Sequence, residues 1–165
     1  MMMKMKTEQL NKEKIMNMKK VTAAVVIIDK DGKILACHGY GRPGDSGYDF
    51  PKGCVEEGET DKEGAIRELR EETYLTIDDS KLIDAGVHRH NKEKNIHIFI
   101  YKVDEFPKLS SLKCTSYFEG KDGKMYPEVD SFAIIDKEHR KAFNKVLWDK
   151  FEIIDSLNTQ NNGWI

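Results

Sequence analysis

Apolar residues in the first part of this chain fall into runs that predict two paired strands. Residues 21–28 read VTAAVVII, a near-continuous apolar run that is typical of a strand buried on both faces. Residues 29–32 (DKDG) predict a hairpin turn, and residues 33–38 then return as the second strand. Residues 39–48 are rich in glycine but lack the strand–turn–helix context of a phosphate-binding loop, so we expect a rim of a cleft there.

A helix is predicted after this rim, because capping signals precede apolar residues at helical spacing. Thr60 or Asp61 can cap its amino end, and Glu63 follows Thr60 by three residues, as in a capping box. The expected inner face is Ala65, Ile66, Leu69 and Thr73.

The second half of the chain returns to strands and ends in a helical pattern. Residues 87–90 and 96–103 predict strands around a turn, whereas residues 105–127 are predicted to be irregular. Residues 129–135 predict another strand, and residues 137–157 are expected to be mostly helical. This order predicts an α/β fold in which a mixed β-sheet is sandwiched between α-helices. Residues 20–158 would form the domain, between a flexible or short helical extension (1–19) and a tail (159–165).

The composition and the charge of the chain limit the partners and the cellular location that we expect. The 165 residues carry a net charge of −2, so no overall basic signal points to nucleic acid. The three cysteines, Cys37, Cys54 and Cys114, have no metal-ligand spacing, and their odd number favours free thiols in a reducing cytoplasm. Since no apolar run approaches about 20 residues and no targeting segment is recognisable, we expect a cytoplasmic protein without a membrane partner.

Acidic residues are concentrated in residues 53–75, which read GCVEEGETDKEGAIRELREETYL. On a helix, Glu68, Glu71 and Glu72 share one face through their i+3 and i+4 spacing. Like charges this close repel, so a cation should offset them. Clustered carboxylate oxygens suit Mg²⁺ or Mn²⁺, and the segment therefore predicts a divalent-metal site.

The order of residues in this segment resembles the signature of the Nudix hydrolase family. The matching positions are Gly53, Glu59, Arg67, Glu68, Leu69, Glu71, Glu72 and Leu75. Tyr74 departs from the signature, because the family has glycine there. Glycine would normally end the helix in a left-handed turn, so we expect the helix to run on or end differently.

The resemblance implies metal-dependent hydrolysis of a nucleoside diphosphate linked to another moiety. It assigns the metals to Glu68, Glu71, Glu72 and the carbonyl of Gly53, with Glu68 as an alternative general base. Arg67 and Glu59 would act as orienting partners.

Further site residues are expected outside the signature. Lys52 lies in a Pro-Lys-Gly lead-in that resembles Nudix members acting on dinucleoside polyphosphates, and it is a candidate phosphate contact or a solvated turn lysine. Glu128 is the first candidate for an additional metal carboxylate, and Glu119 the second. The remaining candidates for substrate binding are Tyr48, Phe50 and Arg42, with Tyr117 and Tyr126 as further residues that could stack on a base.

The function predicted from these residues is hydrolysis of a phosphoanhydride in a nucleotide substrate, preferably a dinucleoside or nucleoside polyphosphate. One alternative is removal of phosphates from RNA 5′ ends, for which lysines in residues 1–20 would form a basic arm. Another is a nucleotide-sensing module without activity, although such a module is expected to lose signature glutamates. The sequence makes no prediction of oligomeric state.

Overall fold

Strands dominate the computed structural model, which describes residues 19–160. Within this range the strands are β1 (Lys20–Ile28), β2 (Ile34–Gly39), β3 (Tyr48–Asp49), β4 (Lys52–Cys54), β5 (Ile83–Arg89), β6 (Lys94–Lys102), β7 (Tyr117–Glu119), β8 (Met125–Pro127) and β9 (Val129–Ile135). The α-helices are α1 (Asp61–Thr73) and α2 (Phe151–Asn158). Short 3-10 turns span Asp79–Lys81, Leu109–Ser111, Lys137–Ala142 and Lys145–Lys150.

The main sheet has seven strands and is built around β1. Strand β6 lies parallel to β1 along its full length, from Lys20 opposite Lys94 to Ile28 opposite Lys102. On the other side, β1 pairs antiparallel with β4 near its start and with β2 near its end. Strands β3 and β9 extend the sheet from β2, and β5 extends it from β6. Strands β7 and β8 form a separate hairpin.

The apolar run of β1 is buried on both faces of the sheet, as its pattern predicts. Ala24, Val26 and Ile28 pack with α2, and Ala23, Val25 and Ile27 pack with α1 on the opposite face. Alternate side chains of a strand point to opposite faces, so one strand contributes to two cores. The predicted α/β fold, with a mixed sheet between helices, is confirmed.

Two regions differ from the sequence prediction. Residues 105–127, expected to be irregular, contain the β7–β8 hairpin, whose three-residue strands are too short to give a readable alternation. Residues 137–150, expected to be mostly helical, form two short 3-10 helices rather than one continuous helix. They are interrupted at Phe143, which has extended backbone angles and a side chain buried in the core.

Two further expectations concern membrane-spanning helices and the two ends of the chain. None of the helices between residues 19 and 160 combines the length and the apolar character needed to cross a bilayer. The predicted extension at 1–19 falls outside the described residues except for Lys19, and the tail does so after Gln160.

Candidate metal and active site

Helix α1 begins where the capping signals place it. Thr60 is the N-cap: its hydroxyl accepts from the amide of Glu63 at 3.1 Å, and the Glu63 carboxylate accepts from the Thr60 amide at 3.0 Å. This capping box satisfies two amides that have no helical partner. Of the predicted inner face, Ala65, Leu69 and Thr73 are buried, whereas Ile66 is half-buried.

The end of α1 corrects the expectation for Tyr74. The helix stops at Thr73, and Tyr74 takes a left-handed conformation (φ 67°). Glycine, which the signature has at this position, adopts this conformation with less strain. The guanidinium of Arg70 lies 5.1 Å from the centre of the Tyr74 ring. This cation–π contact is worth about 0.5–1 kcal/mol at an exposed site and offsets part of the strain, which is about 1–2 kcal/mol.

Three carboxylates meet beside helix α1. Glu68, Glu72 and Glu128 each offer a ligand oxygen, and these oxygens lie within 4.8 Å of one another. Glu68 and Glu72 are one helical turn apart and buried, whereas Glu128 comes from the segment between β8 and β9 and is exposed. We call these three residues the carboxylate cluster. Its all-oxygen donor set is the kind that Mg²⁺ and Mn²⁺ prefer.

Gly53 leaves the space in which the cluster forms. A Cβ at this position would lie 2.0 Å from the carboxyl carbon of Glu68 and 2.2 Å from its Oε1 atom. Any other residue would therefore displace the carboxylate. The close approach also brings the backbone of β4 at Gly53 next to the carboxylate of Glu68.

Arg67 links acidic residues of the segment 53–75, including Glu68, through its guanidinium. Its Nη2 donates to Glu59 at 2.8 Å and to the carbonyl of Cys54 at 3.0 Å, while Nη1 donates to Glu68 at 2.9 Å. The hydrogen bond from Arg67 lowers the pKa of Glu59, and the same partner raises the pKa of Arg67. One planar guanidinium thus links the loop before α1 to the helix.

Glu71 shares a hydrogen-bond donor with Glu68, because Nη1 of Arg67 donates to both carboxylates. Its side chain is 40% exposed and accepts from Nη1 of Arg67 at 3.2 Å, one turn earlier in the helix. Its backbone carbonyl accepts from the amide of Thr115. The i+4 spacing that brings Glu72 beside Glu68 also brings Glu71 beside Arg67.

Burial raises the free-energy cost of ionising Glu68 and Glu72. The pKa of Glu72 rises to about 8, because burial disfavours the charge; the amide of Lys52 partly opposes this, and Glu68 and Glu128 add to it. The pKa of Glu68 is also raised by burial, against the opposing effect of Arg67. Two buried carboxylates with raised pKa values are expected where a cation supplies the missing positive charge.

Lys52 contributes to the site mainly through its backbone. Its amide donates to Oε1 of Glu72 at 3.1 Å, and its ammonium lies 3.2 Å from Oδ2 of Asp49. The same Asp49 oxygen accepts from the side-chain amide of Asn144 at 3.0 Å. A phosphate contact by Lys52 therefore competes with Asp49, a partner that the sequence did not reveal.

The other residues predicted to bind substrate lie in different environments. A cavity of about 210 Å³ adjoins the cluster and is lined by Cys37, Gly39, Asp49, Phe50, Lys52, Glu72, Glu128 and Val129. The ring of Phe50 is fully buried against Phe143 and Phe151, so the predicted stacking on a base is wrong in this structure. Tyr48 packs edge-on against His38, and Arg42 packs on Gly47 in the exposed rim. Glu119 lies in β7, outside the cluster.

Comparison with known proteins identifies the domain. The model of the NUDIX domain family matches residues 18–122. A 17.7 kDa uncharacterized protein of Enterobacteria phage T4 is 38% identical over 91 residues, which are 53% of this chain and 60% of the phage protein. YtkD of Bacillus subtilis, named as a candidate 8-oxo-dGTP diphosphatase, is 33% identical over 122 residues, covering 73% of this chain and 72% of that protein. An RNA pyrophosphohydrolase of Vibrio atlanticus is 32% identical over 69 residues, covering 42% of this chain and 38% of its own length.

Solved structures share the fold at low sequence identity. A bifunctional NMN adenylyltransferase/ADP ribose pyrophosphatase of Francisella tularensis, complexed with AMP and a Mn ion, has a TM-score of 0.61 at 17% identity; the match covers 85% of this chain and 42% of that one. The NUDIX domain of Shewanella oneidensis NrtR, complexed with ADP ribose, has a TM-score of 0.62 at 11% identity over 86% and 89%. An Ap4A hydrolase of C. elegans has a TM-score of 0.57 at 17% identity over 84% and 96%.

Proposed function

Because the chain belongs to the Nudix family, we propose that it hydrolyses a phosphoanhydride bond of a nucleotide substrate with the help of a divalent metal. The observation that carries the proposal is the carboxylate cluster of Glu68, Glu72 and Glu128, with ligand oxygens within 4.8 Å of one another. Such a cluster is stable only with a cation or with bound protons, and phosphoanhydrides are substrates whose charge also needs a cation.

The cluster fits Mg²⁺ or Mn²⁺. Its donors are all oxygens, Gly53 leaves the room they need, and burial raises the pKa of both Glu68 and Glu72, so a cation would favour their charged forms. Glu68, Glu72, Glu128 and the carbonyl of Gly53 would hold the ion, and Glu71, which accepts from Arg67, is a further candidate ligand. When bound, the metal neutralises phosphate charge and acidifies water.

The chain's own residues orient the reacting groups. Arg67 fixes Glu68 through a 2.9 Å hydrogen bond and is itself fixed by Glu59. The raised pKa of Glu68 brings its carboxylate closer to the neutral range, where a general base is most effective. Glu68 is therefore either a metal ligand or the group that accepts the proton of the attacking water, with Arg67 and Glu59 as positioning residues in both cases.

The preferred substrates we propose are dinucleoside polyphosphates and nucleoside polyphosphates. Support comes from the lysine beside Glu72, since an ammonium favours long phosphate chains over a diphosphate that carries a neutral sugar. We expect the ratio of kcat/KM values to favour diadenosine tetraphosphate over ADP-ribose by at least about tenfold, which is about 1.4 kcal/mol. Lys52→Ala should reduce this ratio, and equal efficiency on both substrates would contradict the assignment.

A matched pair of variants tests the cluster. Glu128→Gln should lower turnover of diadenosine tetraphosphate by at least about tenfold at saturating Mg²⁺, because it removes a ligand charge. Glu119→Gln makes the same chemical change in the exposed β7 strand and should leave turnover unchanged. A chelator should abolish turnover by the wild type. Equal rates for the two variants, or turnover that survives chelation, would refute the proposed site.

Hydrolysis of RNA 5′-triphosphate ends is a second candidate, favoured by the identity with the Vibrio RNA pyrophosphohydrolase. A substrate panel with product identification separates the candidates. It should contain diadenosine tetraphosphate, ADP-ribose, canonical and oxidised nucleoside triphosphates, and triphosphorylated RNA. Higher kcat/KM for the RNA than for every free nucleotide would favour the second candidate.

A further inference from the structure

Three aromatic rings from separate segments meet on the surface beside the carboxylate cluster. Tyr40 directly follows β2, Phe118 lies on β7 and Tyr126 on β8. The rings of Tyr40 and Tyr126 are stacked, with centroids 4.8 Å apart and planes inclined by 28°. The Phe118 centroid lies 6.0 Å from that of Tyr40 and 6.1 Å from that of Tyr126. We call these three residues the aromatic platform.

The platform remains open to solvent although its rings pack on one another. Tyr40 is 41% exposed and Phe118 is 39% exposed. The hydroxyl of Tyr126 donates to the carboxylate of Asp122 in the turn of the hairpin, which fixes the orientation of this ring. Single exposed aromatics are ordinary, whereas contiguous exposed rings held in place are typical of a binding surface.

Backbone hydrogen bonds tie the platform to Glu128. The amide of Tyr40 donates to the Glu128 carbonyl at 3.1 Å, and the amide of Glu128 donates to the carbonyl of Ser116 at 3.0 Å. Phe118 is two residues beyond Ser116, and Tyr126 is two residues before Glu128. Two residues of extended chain span at most about 7 Å. The rings therefore lie within the reach of a ribose and a short phosphate chain that extends from the cluster.

We propose that the aromatic platform binds the nucleobase of the substrate. This inference rests on the proposed hydrolysis, since the cluster would hold the phosphates of the same molecule. Flat apolar rings beside a site for charged phosphates match the two chemically different ends of a nucleotide. Stacking on aromatic side chains is possible for every base, so the platform supplies affinity for nucleotides while tolerating different bases.

Binding of AMP and of ribose 5-phosphate tests the platform without requiring hydrolysis. Dissociation constants are measured by calorimetry on the full chain with Mg²⁺. Wild type should bind AMP more tightly than ribose 5-phosphate, which lacks the base. Tyr40→Ala and Phe118→Ala should each weaken AMP binding by about tenfold or more, as expected for a lost stacking contact, and should leave ribose 5-phosphate binding unchanged. Tyr40→Phe keeps the ring and should bind AMP like the wild type.

The hairpin supplies a matched control. Phe118 pairs with Tyr126 across the two strands, so the neighbouring Tyr117 points to the opposite face. Tyr117 was a candidate for base stacking from the sequence, but it lies on the face away from the aromatic platform and is 53% exposed. Tyr117→Ala should therefore bind both ligands like the wild type. Melting temperatures check that each variant is folded, and Tyr40→Leu provides a variant of similar apolar size without a ring if Tyr40→Ala unfolds.

Several outcomes would overturn the inference. These are equal binding of AMP and ribose 5-phosphate by the wild type, unchanged AMP binding in both platform variants, or an equal loss for the two ligands. A loss of self-association in Tyr40→Ala, detected by light scattering with AMP binding intact, would identify the platform as an interface between copies. If AMP binds as expected but no substrate of the panel is hydrolysed, the proposed function fails while the nucleobase site stands.

Discussion

Replacing Glu72 with glutamine should weaken the pH dependence of stability of the metal-free protein. The pKa of Glu72 is raised from 4.5 to about 8, mainly by burial. Between these two values the folded protein keeps a proton that the unfolded chain releases. The free energy of unfolding therefore falls as pH rises through this window and levels off above a pH of about 8. Glutamine is neutral at every pH and can still accept the hydrogen bond from the amide of Lys52.

The magnitude follows from the raised pKa. Each pH unit inside the window changes the free energy of unfolding by about 1.4 kcal/mol. Raising the pH from about 6 to about 9 crosses roughly two units of the window, so Glu72 should cost the wild type about 3 kcal/mol. Glu72→Gln should lose about 3 kcal/mol less than the wild type over the same range and should be more stable than the wild type at the higher pH.

Urea denaturation in the presence of a chelator, at both pH values, measures this difference. Glu71→Gln is the matched control, since Glu71 adjoins Glu72, is 40% exposed and lies outside the carboxylate cluster. It should follow the pH dependence of the wild type. With Mg²⁺, turnover by Glu72→Gln should fall by orders of magnitude although the protein is more stable. A pH dependence of stability in Glu72→Gln that parallels the wild type would refute the reasoning.

Four further variants test individual contacts. Gly53→Ala should lower turnover at least about tenfold, because its Cβ would lie 2.0 Å from the Glu68 carboxyl carbon, whereas Gly44→Ala, with open space around it, should have the wild-type rate. Arg67→Lys loses the planar fork to Glu59 and Cys54 and should lower kcat without changing the fold, as checked by circular dichroism. Tyr74→Gly relieves the positive φ but loses the Arg70 contact, so urea denaturation should detect a stabilisation of at most about 1 kcal/mol. Phe50→Ala should destabilise the protein by about 3–5 kcal/mol in the same assay, and an altered KM with unchanged stability would contradict its core position.

Local patterns were sufficient for the parts of the molecule whose structure depends on neighbours in the chain. The continuous apolar run of β1, the capping box at Thr60 and the family resemblance were all readable from residues 20–75, and the fold and family are confirmed. The i+4 spacing also predicted that Glu68 and Glu72 meet, because helix geometry depends on spacing alone. Glu71 lies at i+3 from Glu68 and accepts from the same nitrogen of Arg67, so its predicted role as a metal ligand stays a prediction.

The tertiary structure decided what depends on residues far apart in sequence. Glu128 could be suggested only as a candidate, and its position beside Glu72 results from the pairing of β9 with β2. The burial that raises the pKa of Glu72 likewise comes from the packing of α1 on the sheet. Phe50 is an aromatic residue in the lead-in to the signature, and only the packing of Phe143 and Phe151 around it places the ring in the core. No motif in the sequence marks Tyr40. It belongs to the aromatic platform only because the β7–β8 hairpin, more than seventy residues later in the chain, folds against it. Features that depend on neighbouring residues, such as helix caps and i+4 pairs, can therefore be predicted from the sequence. The burial, the net charge and the shape of the site depend on contacts between distant segments, which only the tertiary structure provides.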